Sequence, residues 1–205
     1  MKKLVVLLLA SLIASSAFAV VDPDPNSLGI YFDTTAENNC ISTEASIPFF
    51  TYLVLANTTA PAINAYELGM TVEVPDGMEA MVFRLASTIA DGVVSGVDVG
   101  ENSALGGDYI VGLAAPLPAA DAIVLHSWQY MVLAVFPVNM YIGASSVPSI
   151  EGDYPVVQNA EGSILMQTGL STGGPDIPVA TVNTDCVVGV EDVSFGSVKR
   201  SEERR

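Results

Sequence analysis

From residue 28 onward the chain is written in short apolar runs broken by glycine, proline, asparagine and aspartate. No window after the first twenty residues carries the 3.6-residue period of an amphipathic helix. Segments 28–33, 47–56, 63–74, 79–86, 109–114 and 122–136 read as strands, the last being the longest. In 63–74 the alternation puts Tyr66, Leu68, Met70, Val72 and Val74 on one face. Pro75-Asp76-Gly77 then supplies a turn, because proline presets φ and glycine accepts the positive φ such turns need. Shorter strands are expected at 140–142, 163–167, 178–182 and 186–190, and a short helical turn near Glu67 or over 87–90. Evenly spaced short strands of this kind predict an all-β chain folded as a single antiparallel β-sandwich.

The N-terminus sets the compartment. Lys2 and Lys3, an uncharged apolar stretch over 4–14, and Ala17-Phe18-Ala19 have the three-part form of a secretory signal peptide. The expected organisation is a signal peptide over 1–19, a β-sandwich domain over 20–198 and a charged tail over 199–205. Val20 stands where a lipoprotein would need cysteine. The most apolar later region, 114–138, is interrupted by Pro116, Pro118, Asp121, His126, Gln129 and Pro137, so no stable membrane insertion is expected after signal cleavage. The expected location is secreted, periplasmic or extracellular.

Charge excludes one class of partner. The sequence holds 23 Asp and Glu against 7 Lys and Arg, and between residues 20 and 198 the only basic residue is Arg84. Four of the rest, Lys199, Arg200, Arg204 and Arg205, lie in the last seven positions. Nucleic-acid binding needs lysine and arginine to neutralise phosphates, and this distribution cannot supply them. A strongly acidic surface suits an exported, soluble protein.

Cys40 and Cys186 are the two cysteines. In an exported chain an even pair points to a disulfide, and neither has the CxxC or Cys-His neighbourhood of a metal or redox site.

Few residues offer chemistry. Asp22, Asp24, Asn26 and Asp33 fall at EF-hand-like spacings, but Pro23, Pro25 and Ser27 break the loop pattern and the flanks are not helical. Asp91, Asp98, Glu101 and Asp108, gathered in one glycine-rich stretch, are candidate calcium ligands, since carboxylates and loop carbonyls suit a hard cation. His126, the only histidine, would have to be the base of any serine triad, yet no G-x-S-x-G elbow accompanies it. Its place in a strand, with Trp128 and Tyr130 on its own face and Leu125 and Ser127 on the other, reads as a packed or half-exposed side chain. Trp128 and Tyr130, with Tyr109 and Tyr141, are also a candidate ligand platform for sugars. Paired carboxylates could serve glycoside hydrolysis, but 23 acids make some suitable spacing inevitable.

Two resemblances add to this reading. The succession PFFTYLVLAN, AYELGMTVEV, GDYIVGLAAPLP and IVLHSWQYMVLAVF, spread over residues 28–142, resembles the strand order of cohesin-type and carbohydrate-binding-type sandwiches. The fold it implies is Ig-like, cohesin-like or jelly-roll. The segment Val190-Glu-Asp-Val-Ser-Phe-Gly-Ser-Val-Lys199 is similar to a V-E-x-T-[ST]-W-G-x-[IV]-K tail of uncharacterised secreted bacterial β-sandwich proteins, with Val193 and Phe195 departing from it. That likeness implies export and a sandwich and transfers no site residue. The expected function is therefore a non-enzymatic structural or interaction module of the bacterial envelope or extracellular space, with a protein or glycan partner and no cofactor. A carbohydrate-binding or calcium-stabilised recognition domain is the alternative, and a carboxylate-based hydrolase the third.

Overall fold

The computed structural model describes residues 24–184. The signal segment, Cys186 and the 190–199 segment lie outside the described residues. The elements are β1 (Ser27–Tyr31), β2 (Cys40–Ile41), β3 (Phe49–Ala56), β4 (Ala62–Glu73), β5 (Val82–Ile89), β6 (Gly96–Asp98), β7 (Asn102–Ser103), β8 (Gly106–Pro118), β9 (Ala122–Val132), β10 (Val138–Gly143), β11 (Val156–Asn159), β12 (Leu165–Gln167), β13 (Gly169–Leu170) and β14 (Ala180–Val182). Two 3-10 turns, Glu79–Met81 and Ala90–Gly92, flank β5. The second falls just past the helical turn expected over 87–90, whereas Glu67 lies within a strand.

These strands form a β-sandwich of two sheets. The five-stranded sheet runs β13-β1-β3-β9-β5. In the nine-stranded sheet β4 is the spine. Its first half pairs with β11, its second half with β10, and its other edge with β8, which carries β6 and β7 outside it. Pairing is antiparallel except for β1 with β13 and β14 with β2, where the chain returns to the sheet edges late in the sequence.

The core lies between the sheets. On β4 the expected face is the buried one, with Tyr66, Leu68, Met70 and Val72 inward. On β9 the face changes partway. Leu125 is an extra residue, because Leu53 pairs with His126 while Val54 pairs with Val124. That bulge turns Ile123 and Leu125 inward and then His126, Trp128, Tyr130 and Val132 as well. Leu125 therefore shares the core with His126, a correction to strict alternation. β1 is buried on both faces, since residues 32–38 fold back over it and enclose Tyr31, Ala36 and Val54.

Candidate functional site

Two hydrogen-bonded networks, one on His126 and one on Arg84, bring polar side chains together between the sheets. Tyr66 Oη and Ser87 Oγ each lie 2.7 Å from a ring nitrogen of His126, at Nδ1 and Nε2 respectively. A neutral imidazole has one donor and one acceptor nitrogen, so one hydroxyl accepts from it and the other donates to it. Burial, reinforced by the charge of Arg84, pushes the His126 pKa down to about 4. Burial also raises the phenol of Tyr66 well above its ordinary value, so both partners stay neutral at physiological pH. His126 stacks on Trp128 at a centroid distance of 4.7 Å and meets Tyr109 edge-on. Among the described residues the group behind the imidazole of the Ser87–His126 pair is the Tyr66 phenol rather than a carboxylate.

Arg84 crosses between the sheets. Its Nη1 donates to Tyr109 Oη at 2.6 Å and to Asn102 Oδ1 at 2.8 Å. Asn102 in turn donates to Asp98 Oδ2 at 2.9 Å, and Asp98 Oδ1 accepts from the amides of Gly100 and Ile110. The one arginine of the domain is thus spent on holding β5 to the β6–β8 strands.

The sequence candidates are dispersed by the fold. Asp98 sits in the Arg84 network, Asp91 accepts from Ser127 Oγ, and Asp108 accepts from the amide and hydroxyl of Ser146. Among the described residues no group of three or more His, Cys, Asp or Glu is placed to hold a metal ion, so Asp91, Asp98, Glu101 and Asp108 are not brought together. Of the N-terminal set, Asn26 is hydrogen-bonded to Thr59 and Asp33 receives Thr35 and Glu37 amides, which makes both turn locks. Trp128 and Tyr130 are fully buried, so neither presents a ring face to a ligand, and the platform expectation is corrected. Both occupy inward positions after the β9 bulge. Cys40 lies on β2, where it pairs with Thr181; its expected bond partner Cys186 lies outside the described residues.

A different surface emerges on the outer face of the nine-stranded sheet. Cross-strand register places Val97, Gly112, Ala65, Gln158 and Leu165 in one row, one residue from each of β6, β8, β4, β11 and β12. The next row holds Val99, Ile110, Glu67 and Val156. Gly112 and Ala65 are the smallest side chains in the centre, and the flanking Val97, Val99 and Leu165 stand well clear of the sheet. The result is a groove of about 350 Å³. Its lining is mostly apolar, with one carboxylate in the floor. Glu67 is held by Ser149, whose amide donates to Oε1 at 2.5 Å and whose hydroxyl donates to Oε2 at 2.6 Å. Sequence reasoning missed this surface because it depends on which outward residues of five strands meet. The signal within the chain was the small outward residues of β8 and β4.

No protein-family model and no curated protein matches the chain. Among solved structures it is similar to a type II cohesin domain from the cellulosome of Acetivibrio cellulolyticus, with 15% identity, 80% of this chain and 98% of that chain covered, and a TM-score of 0.54. It is also similar to the type II cohesin dyad from the adaptor ScaA scaffoldin of the same organism, with 16% identity, 78% and 49% covered, and a TM-score of 0.51. At these identities the likeness is one of fold.

Proposed function

We propose that the chain is an exported, non-enzymatic interaction module that holds a protein partner in the groove of the nine-stranded sheet. The observation that carries this reading is the pair of cross-strand rows. They set two small residues between projecting valines and leucine, a shape that takes apolar side chains from another surface. The cohesin-like fold favours the same reading.

Electrostatics narrows the partner. Residues 24–184 contain 17 Asp and Glu and, among Lys and Arg, only Arg84, giving 1 − 17 = −16. Arg84 is engaged internally, so nothing in the domain offsets that field at the surface. A partner with apolar anchors flanked by lysine or arginine is steered toward it, and a donor among those anchors can reach Glu67. Interaction, rather than catalysis, also fits a His126 that is neutral and bonded to the hydroxyls of Tyr66 and Ser87.

A photo-crosslinking residue at Val97 tests the assignment. Exposed to extracellular proteins of the source, it should capture one discrete partner that the same probe at Val135, away from the groove, does not capture. Equal capture from both positions, or a glycan ligand in place of a protein, would displace the reading.

A further inference from the structure

At one end the outer face of the five-stranded sheet is apolar and uncovered by any described residue, whereas toward the other end Asp91 accepts from Ser127 Oγ. Three rows define the apolar end. Leu133 and Met81 lie side by side, since the Leu133 amide donates to the Met81 carbonyl, and exposed Ile47 follows Ser46, whose amide donates to Val132. Met131 and Phe83 follow, and then Phe50, Gln129 and the bulge at Leu85. Ile47, Phe50, Met81, Phe83, Leu85 and Leu133 are 37–52% exposed. The only charged residue of β3, β5 and β9 is Arg84, and its side chain points into the core network. An exposed apolar patch of this kind on so acidic a chain is a surface that something covers.

The described chain leaves the fold from β14 of the nine-stranded sheet, next to the chain that follows β9. Asn183 donates from its amide to Ile41 and from Nδ2 to Phe136, three residues past Leu133, while its Oδ1 accepts from Thr43. After Thr184 there are 205 − 184 = 21 residues. Of these, Val187, Val188, Val190, Val193, Phe195 and Val198 are apolar, and Lys199, Arg200, Arg204 and Arg205 follow. Twelve extended residues reach about 40 Å, more than the patch requires. Exposed acids stand on both sides of the first row, Glu44 beside Ile47 and Glu79 beside Met81.

We propose that residues 187–198 of this chain dock on the outer face of the five-stranded sheet, covering Phe50, Phe83 and Leu133, with the basic residues after them meeting the acidic rim. The docking is intramolecular and leaves the groove of the opposite sheet free. It also gives the cations of the sequence a place: they come after the apolar segment, where they pair with the body without entering the apolar face.

Amide hydrogen exchange on the whole exported chain tests this. Residues 187–198 should exchange at least about tenfold more slowly than a free peptide. The double substitution Phe50→Ser and Phe83→Ser, at exposed positions, should abolish that protection. Fluorescence of the single buried Trp128 should stay unchanged, showing that the fold is kept. Free-peptide exchange in the unaltered chain overturns the proposal, as does protection that survives the double substitution. Protection that grows with protein concentration, together with a doubled mass in light scattering, would assign the face to a second copy and equally overturn it. Gly112→Trp, on the other sheet, should leave the protection intact whether or not it affects partner binding.

Discussion

Burial holds the His126 pKa near 4, against an ordinary 6.5, and the consequence is a defined loss of stability in acid. Above about pH 6.5 the ring is neutral in folded and unfolded chains alike. As the pH falls from there toward 4, the unfolded chain takes up a proton that the folded one refuses, so folding weakens by about 3 kcal/mol over that window. Urea unfolding at pH 7 and pH 4.5 should show this loss in the unaltered chain and a much smaller one in His126→Gln. Equal losses in the two would mean that the core does not exclude the charged imidazole. The sequence places His126 on the face of Trp128 and Tyr130 as a packed or half-exposed side chain, and the fold buries it. The sequence does not single out Tyr66 and Ser87 as partners, because those contacts cross from one sheet to the other and along a strand edge that no local pattern encodes.

Among the elements, the turn into β8 is the most constrained by its backbone. Gly106 has φ of +102°, and a Cβ there would lie 2.1 Å from the carbonyl oxygen of Met70. Gly106→Ala should therefore cost on the order of 2–4 kcal/mol in thermal or urea unfolding. Gly112→Ala, whose Cβ meets nothing within 4 Å, should change stability by less than about 0.5 kcal/mol. Similar melting temperatures for the two would contradict the close approach of β8 to β4. The long strands were readable because β-branched and aromatic residues alternate along them. The segment 63–74 matches β4 to within a residue, and 47–56 overlaps β3 throughout its length. β2, β6, β7, β11 and β13 were not predicted, being two to four residues long and without an alternation of their own. They exist because a neighbouring strand offers an edge. Segment 79–86 began too early, since residues 79–81 form a 3-10 turn and the strand runs on to Ile89. The groove inherits this limit, because two of its five strands, β6 and β11, are such short elements.

For the molecule as a whole, the balance of 17 acids against Arg84 in residues 24–184 means that folding concentrates like charge with almost no compensating pairs. Salt shortens the reach of that repulsion to about 10 Å at 0.1 M. The melting temperature should rise between about 10 mM and 0.2 M sodium chloride, and a flat or falling trend would contradict the electrostatic account. The same field selects the partner, so association should slow as salt rises. Low-salt preparations thus favour binding kinetics and disfavour stability, and the two trends can be separated on one sample.

The central claim is that a partner is held in the groove formed by Val97, Gly112, Ala65 and Leu165 across the nine-stranded sheet. Its most direct measurement is the dissociation constant of the crosslink-identified partner for the unaltered chain and for Gly112→Trp. The indole would fill open space above β8, as no neighbour lies within 4 Å of a Cβ at that position. The account predicts binding weakened at least about tenfold, roughly the loss of one interface anchor, with an unchanged melting temperature. A dissociation constant within about twofold of the unaltered value would contradict it.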